Sequence, residues 1–252
     1  MKTRYFIRLC YKGTKYHGWQ IQPNSSTVQA LLNQDLSLIL NEIIEVTGAG
    51  RTDTGVHAKM FYAHFDSAIN DLDTDTNLVF RINGKLPKDL AVQEILKVKP
   101  DAHARFDAIS RTYEYHISRI KDPFHTDVAH YIYGELDFTS MNQATALLTD
   151  VSDFTSFSKV DTDVKTNICK VSRAVWIVDP QKMIFTITAD RFLRDMVRAI
   201  VGTLLDVGFG RTTVGDFCKI IEKKDRSAAG NSVPAKGLFL TDVQYPPDIF
   251  IK

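Results

Sequence analysis

The stretch Gly48-Ala49-Gly50-Arg51-Thr52-Asp53-Thr54-Gly55-Val56-His57-Ala58 packs three glycines, an arginine and an acid into eleven residues. It stands directly before the strand-like run Lys59-Met60-Phe61-Tyr62-Ala63-His64-Phe65. Glycine opens backbone angles closed to other residues and admits a second backbone or a ligand at close range. A carboxylate on such a loop, at the lip of a rigid strand, is placed for chemistry. The same pattern also serves as a tight turn whose Asp53 accepts from nearby backbone N–H groups. Arg51 and Asp53 lie two residues apart, so extended backbone projects both the same way. As a surface ion pair they would be worth little.

The chain has 252 residues, enough for two domains of ordinary size, and its 44% hydrophobic and 24% charged residues suit a globular protein with a proper core. The break at Lys99-Pro100-Asp101-Ala102 sets the expected division, residues 1–102 and 103–252. No apolar run approaches the ~18 residues that span a bilayer, and the alternating Tyr5-Phe6-Ile7-Arg8-Leu9 is no signal peptide, so a cytoplasmic protein without a membrane partner is expected. Cys10, Cys169 and Cys218 are isolated and odd in number, which implies neither a disulfide framework nor a zinc site. A net charge of +1 argues against an overall positive field for nucleic acid but leaves local basic clusters to decide phosphate contacts.

Strand-like and helix-like patterns alternate. Tyr5, Ile7, Leu9 and Tyr11 fall on one strand face, opposite Arg4, Arg8 and Lys12. Ser26 with Gln29 reads as a capping box for a helix carrying Val28, Leu31, Leu32, Leu36, Ile39 and Leu40 and ending near Asn41. Asp71, Asp73 and Asp75 alternate as in a calcium loop. Thr76 and Ile82 occupy the positions that need Gly and Glu, so a solvated loop or cap is expected instead. Leu78–Ile82 then meets the breaker Asn83-Gly84-Lys85-Leu86-Pro87. Arg111–Ile117 reads as a strand with Tyr113, Tyr115 and Ile117 on one face. Ala174–Val178 and Met183–Ala189 form a hairpin, Phe192–Leu205 a helix, and Val214–Ile221 another. Hairpin-linked strands with interspersed helices define an α+β fold with largely antiparallel sheets. Along the Phe192–Leu205 helix, Arg191, Arg194 and Arg198 share one face, and Leu193, Val197, Ile200 and Leu204 another.

The glycine-rich stretch resembles the catalytic signature of the tRNA pseudouridine synthase A (TruA) family, in which the Asp is essential. Three further segments carry the resemblance. Arg111-Thr112-Tyr113-Glu114-Tyr115 is similar to the family's R-x-Y-x-Y, Phe192–Arg198 to its F-L-x-x-M-V-R, and Val233–Leu238 to its A-P-A-x-G-L, with Val233 for the first Ala. The loop Tyr11–Gln20 looks like the family's RNA-facing amino-terminal loop, so that nearly the whole chain, Tyr5 to Leu240, is covered.

The resemblance implies two related α+β halves meeting at a central catalytic cleft. It also implies isomerisation of uridine to pseudouridine at positions 38, 39 and 40 of the tRNA anticodon arm, by a homodimer. Asp53 would initiate cleavage of the glycosidic bond, attacking the sugar or removing a sugar proton. Arg51 would serve base flipping, Tyr113 would stack on the uracil, Arg198 would pair with Asp53, and Leu238 would wall the pocket or sit in the core. Tyr115 falls to the core. Lys12, Lys15, Arg191 and Arg194 are the expected backbone contacts to RNA. Asp195 stands where relatives often carry Asn or His. His57 and His64 lack neighbouring metal ligands and read as structural. Isomerisation needs neither redox equivalents nor phosphate energy, and no dinucleotide fingerprint or P-loop is present, so no cofactor is expected. A non-catalytic RNA-binding protein of the same fold would not need Asp53, Tyr113 and Arg198. A glycosidic-bond hydrolase would want a second carboxylate, and none is convincing.

Overall fold

The computed structural model describes residues 2–159 and 166–251. The chain divides into two compact units, Met1–Ile109 with Leu240–Lys252, and Ser110–Phe239.

In the first unit, β1 (Thr3–Tyr11) is flanked on both sides by antiparallel partners. β3 (His57–Ser67) sets Phe65, Ala63 and Phe61 opposite Tyr5, Ile7 and Leu9, and β4 (Leu90–Lys97) sets Ile95 opposite Ile7. The short β2 (Thr47–Gly48) pairs with the far side of β3. Tyr5, Ile7, Leu9 and Tyr11 are buried, in line with the alternation read from the sequence. Phe6, on the arginine-bearing face, is buried as well. Its ring lies 5.1 Å from that of Tyr245 and 6.1 Å from that of Phe250, both supplied by the carboxy-terminal return of the chain. Alternation marks a strand with one wet face, and a distant segment has covered that face here.

Helix α1 (Val28–Leu40) buries Val28, Leu32, Leu36 and Leu40, one stripe at i, i+4 spacing. It ends where Asn41 turns into the left-handed region at φ 52°. Its cap differs from the expected one. Thr27, not Ser26, accepts from the Ala30 N–H, because Ser26 is held one residue further out by its carbonyl accepting from His17 N–H (2.8 Å). Gln29 completes no box. Its side chain accepts from Ile21 N–H at 3.0 Å and donates to the Val46 carbonyl at 2.8 Å, tying two loops to the helix.

The Asn83-Gly84 breaker does not stop α2 (Leu78–Lys85), since the Asn83 amide exchanges two hydrogen bonds with the backbone of Val92 (2.7 and 2.8 Å) and docks the helix on β4. Termination comes at Leu86, extended as the residue before a proline must be. The acidic stretch before α2 is a loop whose Asp75 accepts from Asn77 N–H and pairs with Arg81, while Asp71 pairs with Lys97.

The expected division at 102/103 falls inside this first unit. Lys99–Ala102 is only a turn, closed by Ala102 N–H donating to the Lys99 carbonyl. Residues 103–109 then stay packed there: Ala104 N–H donates to His64 Nδ1 at 3.1 Å, and Tyr245 donates its hydroxyl proton to the Ala104 carbonyl.

In the second unit β5 (Ser110–Ser118), β8 (Lys182–Ala189) and β7 (Val171–Val178) form an antiparallel sheet in that order. Tyr115 and Trp176 both lie opposite Phe185. The two-residue β6 (His130–Tyr131) adds to β5 in parallel. Among the described residues three α-helices accompany the sheet, α3 (Phe138–Ala146), α4 (Met196–Gly208) and α5 (Val214–Lys223). The chain passes back to the first unit within β9 (Leu238–Gln244). Helix α4 starts four residues later than the periodicity predicts, because Asp195 at φ 66° cannot extend a right-handed helix towards Phe192. Arg191 and Arg194 therefore precede the helix, and the expected arginine face loses two of its three members. Among the described residues no helix is long and apolar enough to cross a membrane.

Candidate active site

In the first unit the glycine-rich stretch runs from the last residue of β2 through a loop into the start of β3. Its carbonyls and N–H groups are taken up by the amino-terminal loop Tyr11–Gln20. Trp19 N–H donates to the Thr52 carbonyl (3.2 Å), and Gly55 N–H donates to the Tyr16 carbonyl (3.3 Å). The Tyr11 and Thr52 hydroxyls bond at 2.9 Å, and Gly13 N–H donates to His57 Nδ1 at 2.9 Å.

Two glycines make this fit possible. A Cβ on Gly48 would stand 2.5 Å from the Trp19 indole, which lies buried and stacked on Phe61 at 4.2 Å. One on Gly18, at φ 85°, would stand 2.4 Å from the Thr52 carbonyl oxygen.

Asp53 opens a turn closed by Val56 N–H donating to its carbonyl, with Gly55 at φ 81°. Asp53 is half-buried and Arg51 exposed, and the two flank the buried Thr52.

The amino-terminal loop itself resolves into two faces. Tyr11, Gly13, Tyr16, Gly18 and Trp19 are buried against the signature loop, while Lys12, Lys15 and His17 are exposed. The aromatic half of what the sequence suggests as an RNA-facing surface thus supports the Asp53 loop. Tyr16 donates its hydroxyl proton to Asp89, and burial, reinforced by that carboxylate, pushes its pKa above the ordinary tyrosine range. His57 and His64 are buried with Nδ1 accepting from backbone N–H groups, which leaves the proton of each neutral ring on Nε2. Burial, then the neighbouring His103 and Arg4, lower the pKa of His64 to about 4.

In the second unit the segment Gly230–Leu238 ties α4 to β5. Arg198 and Val233 are joined twice, by Val233 N–H donating to the Arg198 carbonyl (3.2 Å) and by Arg198 Nε donating to the Val233 carbonyl (2.7 Å). One residue on, the Pro234 carbonyl accepts from the buried Tyr115 hydroxyl at 2.8 Å. Burial raises the pKa of Tyr115, with the nearby Arg198 charge opposing. Tyr113 is half-buried and meets the Phe192 ring edge-on at 5.0 Å. Leu238 is buried, Arg194 exposed and Arg191 half-buried.

Asp195, Arg226 and Ser232 were not singled out as a group by the sequence. They form a polar cluster around Arg198, with Asp195 Oδ1 2.8 Å from Arg198 Nη1. Their separations of 31 and 37 residues leave no local signal.

Both halves of this arrangement match one class of enzyme. The model of the tRNA pseudouridine synthase family matches residues 9–107 and 144–246. The "tRNA pseudouridine synthase A" of Bacteroides fragilis is 54% identical over 248 residues, spanning 98% of both chains. That of Porphyromonas gingivalis is 50% identical over 251 residues, covering 99% of this chain and 100% of its own. The Clostridium acetobutylicum protein of that name is 40% identical over 241 residues, 95% of this chain and 98% of its own. The chain belongs to the tRNA pseudouridine synthase A family, a family of isomerases.

Proposed function

We propose that this protein isomerises uridine to pseudouridine at positions 38, 39 and 40 in the anticodon arm of tRNA, with Asp53 initiating glycosidic-bond cleavage. The observation that carries the reading is the half-buried Asp53 on a turn whose backbone is bonded to Tyr16 and Trp19. Such anchoring holds a reactive carboxylate in place at no cost during the reaction.

The exposed Arg51 enters the space left by the flipped base or meets the flanking phosphates. Tyr113 offers its ring to the uracil, and Leu238 lines the pocket. Arg198 supplies the positive charge that keeps Asp53 ionised. Lys12, Lys15, Arg191 and Arg194 meet the RNA backbone. The enzyme works as a cytoplasmic homodimer on tRNA, without a metal or organic cofactor, because the reaction is redox-neutral within one nucleoside.

The test is incubation with unmodified tRNA and mapping of pseudouridine. Wild-type protein forms it at the three positions, in EDTA, on a short anticodon stem-loop as well as on full tRNA. Asp53→Asn binds tRNA and forms none. Turnover by Asp53→Asn within a few-fold of wild type would refute the role of Asp53, and restoration by one divalent metal would refute the cofactor-free reading.

A further inference from the structure

Asp195 stands at the N-terminus of α4, at φ 66°, in the left-handed region that few non-glycine residues adopt. An aspartate there ordinarily accepts from the first helical N–H groups, yet its carboxylate makes no such bond. The side chain is 15% exposed and turned into the polar cluster. Oδ1 lies 2.8 Å from Arg198 Nη1, an ion pair rather than an aligned hydrogen bond, since Oδ1 receives no hydrogen bond among the described residues. Oδ2 accepts from the Ser232 hydroxyl and stands 4.0 Å from Arg226 Nη2. Arg226 in turn donates to Ser232 Oγ at 2.9 Å and to the Gly230 carbonyl at 3.1 Å.

Arg198 is thus held at Nε by the Val233 carbonyl and at Nη1 by the Asp195 charge. Arg226 balances that carboxylate from its other side. A strained backbone persists where the surroundings over-determine it, and what the surroundings hold here is the Asp195 carboxylate beside Arg198.

We propose that Asp195 is a positioning residue for Arg198, fixing the direction of its guanidinium from a cluster shared with Ser232 and Arg226. The inference rests on the proposed role of Arg198 in the isomerisation. The contact to Arg198 acts through charge, so Asn, which is also tolerant of the left-handed region, keeps the shape at position 195 without the hold on the guanidinium.

The experiment compares Asp195→Gly, Asp195→Asn, Ser232→Ala, Arg198→Met and the double variant Asp195→Gly/Arg198→Met. Single-turnover rate and tRNA Kd are measured below each variant's melting transition. Glycine removes the side chain while keeping the backbone unstrained. Asp195→Gly is expected to lose roughly ten- to a hundredfold in rate with Kd within about twofold. Asp195→Asn, which keeps the shape and removes the charge, recovers little of the rate, and Ser232→Ala shows a smaller loss in the same direction. The double variant matches Arg198→Met alone, because a residue that acts through Arg198 has nothing left to position.

Losses that multiply in the double variant would overturn the proposal. So would a wild-type rate in Asp195→Gly beside a slow Arg198→Met, which leaves the functional reading intact. Should Asp195→Gly fail to fold, Ser232→Ala at wild-type rate would overturn it equally. Absence of pseudouridine from the wild-type reaction would overturn both readings together.

Discussion

The hydroxyls of Tyr11 and Thr52 meet at 2.9 Å in a buried contact that joins the end of β1 to the residue between Arg51 and Asp53. Tyr11 is paired on both sides, to Ala58 of β3 and Leu90 of β4, and this bond extends that hold to a loop with no regular structure of its own. Arg51 and Asp53 then flank a residue that is held in place.

Tyr11→Phe removes one partner of that bond and leaves the Thr52 hydroxyl in a buried setting. A stability loss of about 1–3 kcal/mol is expected in denaturant titration, together with a fall in kcat larger than any change in tRNA affinity. An unchanged midpoint and unchanged kcat would show that the loop is held elsewhere.

Gly18→Ala tests the close approach of the two loops. A Cβ would stand 2.4 Å from the Thr52 carbonyl on a residue at φ 85°, so both contact and conformation oppose it. The cost should exceed ~1–3 kcal/mol, the range for local backbone strain alone. Thermal melting reads it directly, and pseudouridine formation should fall with it as the loop shifts.

His64 predicts a pH dependence. Its folded pKa of about 4 lies below the ordinary histidine value of 6.5, so the unfolded chain takes up a proton that the folded chain refuses. Stability contributed by the neutral ring is full above pH ~6.5 and is lost as pH falls towards ~4, by about 3 kcal/mol for this shift. Asp66, held low by its bond to Arg4, acts in a different window, with its contribution lost only as pH drops below the usual carboxylate range. Denaturant midpoints between pH 7 and 4 should fall in wild type and fall less steeply in His64→Gln. Parallel slopes would remove His64 from the account.

Arg194 is exposed immediately before α4. If it meets a phosphate, Arg194→Ala weakens tRNA binding and lowers the slope of log affinity against log salt by about 1, leaving single-turnover rate at saturation unchanged. An identical slope would take Arg194 off the RNA.

Local patterns in the chain were sufficient for much of this. The α1 stripe from Val28 to Leu40, the β1 alternation and the hairpin turning after Val178 are set by neighbours within a few residues, so spacing reveals them. The loop that holds Arg51 and Asp53 was legible for the same reason, since its glycines and both side chains stand in one continuous stretch. The start of α4 was misplaced because periodicity cannot register the left-handed Asp195. Ser232 and Arg226, brought to Asp195 across more than thirty residues, left no pattern to read.

What sequence alone determined, then, is β1, α1, the β7–β8 hairpin and the loop that carries Arg51 and Asp53, all products of short-range backbone preference and residue order. Tertiary structure decided which faces stay dry and which side chains are held. Phe6 is covered by Tyr245 and Phe250 from the carboxy-terminal return, and Trp19 and Tyr16 became supports of the Asp53 loop rather than surface aromatics. Burial and hydrogen-bond partnership depend on segments far apart in the chain, and those meet only when it folds.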